Sequence, residues 1–587
     1  MPGFRRKTSK RKIRLEGIES SLWSDSSRRW RTGDLEDDGY VSWGLSHMRI
    51  NLFYLAAFLV LLIFLGRLFV LTVVDGSKNR ELSDNNRVKL VEFEAERGDI
   101  IDRFGKVIAT SATHYFLQKS GQKTEISKEE AQKLEKEGGA GEYFEGTKGR
   151  TVREVRRIYP LGDATSHVLG YTSLVQAEEK KNDKTMDITN ARGRLGIEST
   201  YDSFLQGAVG RRLIEVDAAG SNVSILGEVA PVKGRNVQST IDGDLQKVVV
   251  ESLKKYTQLT GSNKGAVVVQ NPNTGEILAL ASSPTFNPND VASSIDDKGL
   301  PFFNRAVQGT YPPGSVFKII TALAGLESGK ITPDTEVDDV GKIEVGGQTF
   351  SNWLYTEYGR TDGLIKIQKA IARSNDLFFY KAGEETGVSE IKKMAVKLGY
   401  GQKAGIDLPE EAFGLVPDEV WKKSTIGDPW YLGDTLHLAI GQGFMLTTPL
   451  QVNDVTSFVA SGKLTKPYLV SKIDAGQSSG EIKFDSKVLG TDLVKSDNLQ
   501  LVRAGMRDAC QAGGTGAPFF NTNYKVACKT GTAEESGGEA HAWFTVFAPA
   551  DKAQIALTVV VERGGQGSAV SAPVAKDILD WWFANRK

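Results

Sequence analysis

The stretch Tyr311-Pro312-Pro313-Gly314-Ser315-Val316-Phe317-Lys318, followed by Ile319-Ile320-Thr321-Ala322-Leu323, decides how the chain is read. A Pro-Pro-Gly turn delivers Ser315 to the first turn of a predicted helix. Lys318 follows three residues later, on the same helix face. Free backbone N–H groups and the positive end of the helix dipole gather at such an N-terminus. Ser315 is therefore a candidate nucleophile, Lys318 its candidate base, and the local backbone part of an oxyanion site. Taken alone, S-x-x-K arises by chance in long chains, and a serine at a helix start beside a solvated lysine explains it as well.

The chain has 587 residues, 40% of them apolar and 25% charged, which leaves room for about three or four domains with ample cores. Basic and acidic residues balance at 73 each, so net charge gives no reason to expect a nucleic-acid partner. Five histidines and two cysteines are scattered without H-x-x-x-H or C-x-x-C spacing, so neither a zinc site nor another cofactor is expected.

Charge is uneven at the start. Residues 1–14 hold seven basic residues and no acidic one. The apolar run that follows, Ile50–Val74, contains one charge, Arg67, and is long enough to cross a bilayer. A buried core helix tolerates so long a run poorly, and a cleaved signal peptide has a shorter apolar core nearer the N-terminus. A retained anchor is the preferred reading, with the basic tail cytoplasmic and the rest of the chain outside, a single-pass cell-membrane protein. The expected organisation is a disordered tail at 1–49, in which Trp23, Trp30 and Trp43 need do nothing specific, and a transmembrane helix at 50–74. An elongated mixed α/β pedestal domain follows at 75–232, then a catalytic domain at 233–587.

In the pedestal, Asn86–Ala95 partly alternates as a strand, and Arg97–Ala109 reads as strand, turn, strand about Gly105. Arg97-Gly98-Asp99 matches an adhesion tripeptide, but a structural turn explains it better. Residues 127–140 read as a charged helix. Beyond 233, Val237–Asp242 alternates as a strand and Gly243–Gln258 reads as a helix. Gly265–Gln270 and Gly275–Ala281 flank Asn271-Pro272-Asn273-Thr274 as a hairpin. Helical segments fill 314–460, strands return at 524–532, 541–548 and 553–563, and a helix closes the chain at Ser568–Phe583. Strands at both ends around a helical middle predict an α+β domain whose antiparallel sheet is completed by the returning chain end.

Two more pieces belong with Ser315. Ser374-Asn375-Asp376 ends one helical run and begins another, and Lys529-Thr530-Gly531-Thr532 lies on a strand. Separately they read as a helix cap and a basic surface strand. In the order S-x-x-K, S-x-D, K-T-G, with 59 residues from Ser315 to Ser374 and 155 from Ser374 to Lys529, they are the motif set of serine acyl-transferases of the penicillin-binding and β-lactamase type. The pieces RGDIIDRFG, RRIYPLG, HVLGY, GRLGIESTYDSFLQG, STIDGDLQ, NPNTGEILALAS, YPPGSVFK, GDTLHLAIGQGF and VACKTGTAE occur in the order seen in class B penicillin-binding proteins, which the chain resembles from about Arg67 to its end.

The resemblance implies a peptidoglycan D,D-transpeptidase with a penicillin-binding, serine β-lactamase-like fold. Ser315 attacks the D-Ala-D-Ala carbonyl of a stem peptide, D-alanine leaves, and an amine of a second stem peptide resolves the acyl-enzyme into a cross-link. Lys318 is the base if burial and a nearby cation, Lys529, keep it neutral. Ser374, flanked by Asn375 and Asp376, relays a proton to the leaving amine. Thr530 and Thr532 bind the substrate carboxylate, the backbone N–H groups of Ser315 and Thr532 form the oxyanion hole, and Gly531 lets substrate lie against the strand. β-Lactam antibiotics are expected ligands. A SEDS-family glycosyltransferase and the cell-wall elongation complex are the expected protein partners.

Asp376 in the second motif and Tyr-Pro-Pro-Gly before the nucleophile favour the elongation-type branch, concerned with cell shape, over the division type. Only 47 residues separate Ala109 from Arg157, which implies a reduced pedestal head. Cys510, in a helix-like stretch, and Cys528, directly before Lys529, are either a disulfide permitted by an oxidising compartment or two separate buried thiols. A class A β-lactamase is disfavoured because no E-x-x-L-N segment lies between Ser374 and Lys529. A D,D-carboxypeptidase rarely carries this N-terminal module, and an inert scaffold has no use for an intact Ser315, Lys318, Ser374 and Lys529.

Overall fold

A computed structural model describes residues 47–119, 121–137, 150–175, 179, 191–216, 222–476, 480–535 and 538–586. The expected tail, with its three tryptophans, lies almost wholly outside them. The chain divides into two units, Met1–Ser83 and Asp84–Lys587. In the first, the helix His47–Phe69 runs on through a π-helical turn, Val70–Val74. The 28 residues from His47 to Val74 are long and apolar enough to cross a membrane.

The second unit is built on two sheets. A seven-stranded mixed sheet contains Ile100–Ile101, Val107–Lys119, Gln122–Ile126 and Arg150–Ile158 together with Val237–Ser239, Val470–Ile473 and Ile482–Lys483. Val237 and Gln238 pair in parallel with Ile100 and Ile101. The sheet therefore takes strands from both sides of the expected 232/233 boundary. Between Ile101 and Val107 the chain reverses at Gly105, whose φ of 84° is open to glycine at no steric cost. The charged helix forms over Lys128–Glu137, and a separate three-stranded sheet joins Val88–Phe93, Gly210–Val216 and Asn222–Val229.

Three pedestal motifs that lie far apart in sequence meet at one carboxylate. Glu198, fully buried, accepts from Arg97 Nε at 3.0 Å and Nη2 at 2.8 Å and from Arg157 Nε at 2.6 Å. Arg97 also pairs with Asp202 at 2.8 Å. Buried charges are tolerated when paired and hydrogen-bonded in this way.

The catalytic sheet has five antiparallel strands in the order Ile277–Ser283, Gly265–Gln270, Ile555–Val561, His541–Ala548, Ala527–Ala533. Alternate side chains leave its two faces. Val267, Val269, Phe544 and Val559 pack under the helices Gly243–Leu259 and Ser571–Asn585, while Val268, Leu280, Trp543 and Val560 face the helical lobe. Both faces are buried, so these strands read as nearly continuous apolar runs. The chain end is fastened to the start of the domain: Asp242 caps the helix Gly243–Leu259 and accepts from Arg586 Nε at 2.6 Å.

Candidate active site

The nucleophile turn is shaped by its neighbours. Tyr311 pairs with Thr447 through backbone bonds of 2.9 Å in both directions, Trp543 Nε1 donates to Pro312 O at 3.0 Å, and Gly314 N donates to Gly441 O at 2.9 Å. Gly314 adopts φ 56°, and a Cβ there would lie 2.6 Å from Thr532 O. The turn that carries Ser315 is thus seated on the backbone of Thr532, the residue expected to supply the second oxyanion donor. Gly314–Phe317 forms a single 3₁₀ turn and the α-helix proper is Lys318–Ser328.

Lys318 points inward from this helix and is fully buried. Its Nζ donates to Asp376 Oδ1 at 2.6 Å and to the Ser374 carbonyl at 2.8 Å, with a longer contact of 3.4 Å to Ser374 Oγ. The helices Ile367–Arg373 and Asp376–Lys397 meet at Ser374, whose φ of 54° is left-handed. Asn375 caps the second helix, accepting from Phe378 N at 2.9 Å, and its amide donates to Asp339 at 2.8 Å. The second carboxylate oxygen of Asp376 accepts from Trp353 N at 2.9 Å.

Lys529 comes from the edge strand of the catalytic sheet. It is also fully buried, with Nζ 2.7 Å from Ser374 Oγ and 3.1 Å from Thr530 O. Both lysines therefore converge on one hydroxyl. Burial pushes Lys318 below the ordinary lysine value, opposed by Asp376. Burial, reinforced by the charge of Lys318, pushes Lys529 much further down. Sequence reasoning assigned Lys529 as the cation that neutralises Lys318. In the structure it is Lys318 that holds the carboxylate.

The cleft between these elements has a volume of about 400 Å³ and is lined by Ser315, Trp353, Ser374, Thr530 and Thr532, among others. Every catalytic and substrate-binding residue expected from the motifs falls in this cleft or in the hydrogen-bond network behind it. Gly531 has a further reason to be glycine. A Cβ there would meet Trp543 Cβ at 2.9 Å and Val316 at 3.0 Å, so the space serves the nucleophile turn. Among the described residues no group of His, Cys, Asp and Glu is placed to hold a metal.

Cys510 and Cys528 are joined as a disulfide with Cα atoms 5.9 Å apart, within the usual span. The bond ties the end of the helix Ser496–Ala509 to the strand that carries Lys529 and encloses the loop between them, in which a Cβ on Gly516 would lie 2.7 Å from Cys528 Sγ and 2.9 Å from Cys510 Sγ. On that loop Thr515 accepts from Thr530 Oγ1 at 2.8 Å. Sequence reasoning missed Thr515 and Trp353. Neither lies in a motif, and the only signal was the cysteine beside Lys529.

Residues 265–580 match the family described as the penicillin binding protein transpeptidase domain, and residues 119–239 match the penicillin-binding protein dimerisation domain. The chain is 31% identical to the peptidoglycan D,D-transpeptidase MrdA of Haemophilus influenzae over 91% of each chain, and 30% identical to that of Escherichia coli over 90% of this chain and 93% of the other. Among solved structures, a chain of a peptidoglycan synthase complex superposes with TM-score 0.72 at 28% identity, covering 93% of this chain and 99% of that one. Pseudomonas aeruginosa PBP2 in complex with WCK 5153 gives 0.66 at 30% identity over 85% and 97%. Helicobacter pylori PBP2 in complex with MreC gives 0.68 at 29% identity over 85% and 99%.

Proposed function

The chain belongs to the penicillin-binding protein transpeptidase family, and from that premise we propose how its cleft works. The enzyme is a peptidoglycan D,D-transpeptidase of the elongation type. Ser315 Oγ attacks the carbonyl of the penultimate D-Ala of a donor stem peptide. The tetrahedral oxyanion is held by the N–H groups of Ser315 and Thr532, donors of a kind worth about 3–4 kcal/mol each. Thr530 and Thr532 hold the terminal carboxylate. The Lys318–Ser374–Lys529 cluster takes the serine proton and returns it to the departing D-alanine. An amine of a second stem peptide then attacks the ester, and the cross-link leaves.

The observation that carries this reading is the convergence of two buried lysines on Ser374 Oγ inside the cleft that Ser315 lines. Lysines are almost never fully buried unless paired, and two that share the single carboxylate of Asp376 beside a cleft mark a functional site. Labelling the full chain with a fluorescent penicillin tests it: wild type labels, Ser315→Ala does not. Persistent labelling of the variant would remove Ser315 as nucleophile.

The basic tail supports a cytoplasmic N-terminus, with the apolar helix as the anchor and the catalytic unit outside. The pedestal, residues 75–232, serves partners rather than chemistry. The partners we propose are an MreC-type protein, by likeness to Helicobacter pylori PBP2 solved with MreC, and a wall polymerase, by likeness to a chain of a peptidoglycan synthase complex that couples polymerization and crosslinking; a SEDS-family glycosyltransferase is the polymerase the sequence resemblance implies. Depletion in cells tests the branch, because loss of rod shape follows from an elongation enzyme and filaments from a division enzyme.

A further inference from the structure

Resting on the transpeptidase reading, we infer that a lysine-lined pocket on the far edge of the catalytic sheet is a second binding site, for a ligand that carries oxyanions. The pocket has a volume of about 590 Å³, within the range of small-ligand sites. It lies where the last turns of the helix Gly243–Leu259, the turn at 262–264, the end of the strand Ile277–Ser283 and the loop at 297–299 come together. That strand is the first of the five and Ala527–Ala533, which borders the cleft, is the last. Four strand spacings, about 19 Å, separate the two edges.

Three lysines from three segments line it: Lys254 from the helix, Lys264 from the turn and Lys298 from the loop. None of them has a carboxylate within ion-pair distance among the described residues, whereas Lys255 pairs with Asp577 at 3.1 Å. The acidic residue in the lining, Asp297, accepts from Gly299 N at 2.7 Å within its own loop. A cation near a helix C-terminus often serves the closing carbonyls. Here those carbonyls already have donors: Tyr256 O accepts from Thr260 N at 3.2 Å, Thr257 O from Asn263 N at 3.0 Å and Gln258 O from Gly261 N at 3.0 Å. The hydroxyl of Ser283 is spent on Asn263 O at 2.9 Å and that of Thr257 on Lys254 O at 3.1 Å. What the pocket holds in excess is positive charge. A compact phosphate is commonly gathered by an arginine fork or by the N–H groups of a helix start, and this helix presents its other end. Single ammoniums on separate segments suit charges spread along a chain, so the free carboxylates of an uncross-linked stem peptide are the favoured occupant.

The pocket wall also bears on the nucleophile turn. Arg305 is buried, donates to Gly299 O at 2.9 Å and Leu300 O at 3.2 Å, and pairs with Glu562 Oε1 at 2.8 Å. The same oxygen accepts from the Tyr311 hydroxyl at 2.8 Å, and Glu562 N donates to Lys264 O at 3.0 Å. A ligand held by Lys264 and Lys298 therefore touches the two segments that fix Glu562 and, through it, the first residue of the Tyr-Pro-Pro-Gly turn.

The test uses the full chain in detergent with the cleft blocked by penicillin, titrated calorimetrically with a soluble disaccharide-pentapeptide. We expect binding that weakens as salt is raised and that is lost when the carboxylates of the probe are amidated. Affinity should fall by about tenfold in Lys254→Gln/Lys264→Gln/Lys298→Gln, within what three solvent-facing charge contacts supply, and persist in the corresponding triple arginine variant, which keeps the charges. Acylation of each variant by the same penicillin shows that its cleft is assembled. Displacement of the probe by inorganic phosphate at lower concentration supports the oxyanion site and gives its occupant as a phosphate. No binding to the blocked chain, or binding that the glutamine variant leaves unchanged, overturns the inference. Mapping the penicilloyl group by mass spectrometry separates the two readings: a chain unlabelled at Ser315 fails as a transpeptidase, and a labelled chain that ignores the probe fails only this proposal.

Discussion

Replacing Glu198 with glutamine isolates what one buried carboxylate contributes to the pedestal. Arg157 has Glu198 as its carboxylate, at 2.6 Å; its other partners, Gly98 O at 2.8 Å and Ser111 Oγ at 3.3 Å, are neutral. Arg157 Nη2 is already buried without a partner. Arg97 keeps Asp202 at 2.8 Å when Glu198 is neutral. The loss therefore falls on Arg157, which becomes an uncompensated buried cation. Breaking a buried pair from one side costs about 3–5 kcal/mol, and because glutamine keeps an acceptor oxygen the lower end, about 3 kcal/mol, is expected. Removing the stranded charge as well, in Glu198→Gln/Arg157→Met, should recover about 1–3 kcal/mol of that loss. Urea unfolding of the full chain in detergent measures both, with penicillin acylation at low temperature showing that the catalytic cleft is intact. A single variant within about 1 kcal/mol of wild type, or a double variant no better than the sum of the singles, would show that these arginines do not depend on Glu198.

Three further outcomes follow from the cleft. Replacing both Cys510 and Cys528 with serine opens a cross-link spanning 18 residues, which should cost about 3 kcal/mol by the loop-entropy relation, read as an earlier melting transition that reductant reproduces in wild type. The same pair should slow penicillin acylation, because Thr515 is then free to leave Thr530. Gly531→Ala forces a Cβ against Trp543 and Val316 and should cost about 1–3 kcal/mol with loss of acylation, whereas unchanged acylation would show that the turn yields easily. Lys529 is depressed in the folded chain and ordinary in the unfolded one, so the unfolded state binds the extra proton between those two values. Stability should therefore rise with pH through that window, by up to about 1.4 kcal/mol per unit, and fall away on acidification; urea midpoints from pH 7 to 9 should show the slope flattened in Lys529→Met.

Much of the cleft was legible because its chemistry is carried by short local motifs. Ser315 and Lys318 share a turn, Ser374 to Asp376 sit at one helix junction, and Lys529 to Thr532 lie on one strand. The hairpin of Gly265–Ser283 and the return of the C-terminal strands were equally visible, because turn residues and apolar runs are local signals. What was not visible depends on pairs far apart in sequence. The Lys318–Asp376 bond joins residues 58 apart and the Arg97–Glu198 bond residues 101 apart, and no periodicity encodes either. Asp376 was noticed as a subfamily marker, while its effect on the protonation of the site needed the distance. Cysteine pairing stayed open for the same reason, since it turns on whether a helix end meets a strand.

The catalytic sheet has a consequence for synthesis. Its strands come from Gly265–Ser283 and then from Ala527 onward, with the helical lobe between. A chain growing from its N-terminus makes Ser315 and Ser374 long before Lys529. Until the last strands exist, the nucleophile has no Thr532 backbone to rest against, no Thr530 beside it and no second lysine behind it. Pairing between distant segments is also the slow part of folding. Acyl-transfer reactivity therefore cannot precede synthesis of the strands from Ala527 to Val561, and a nascent chain stalled before Ala527 carries the serine without the chemistry. Capture of penicillin by this protein thus reports more than an intact serine: it marks a molecule whose final strands have docked.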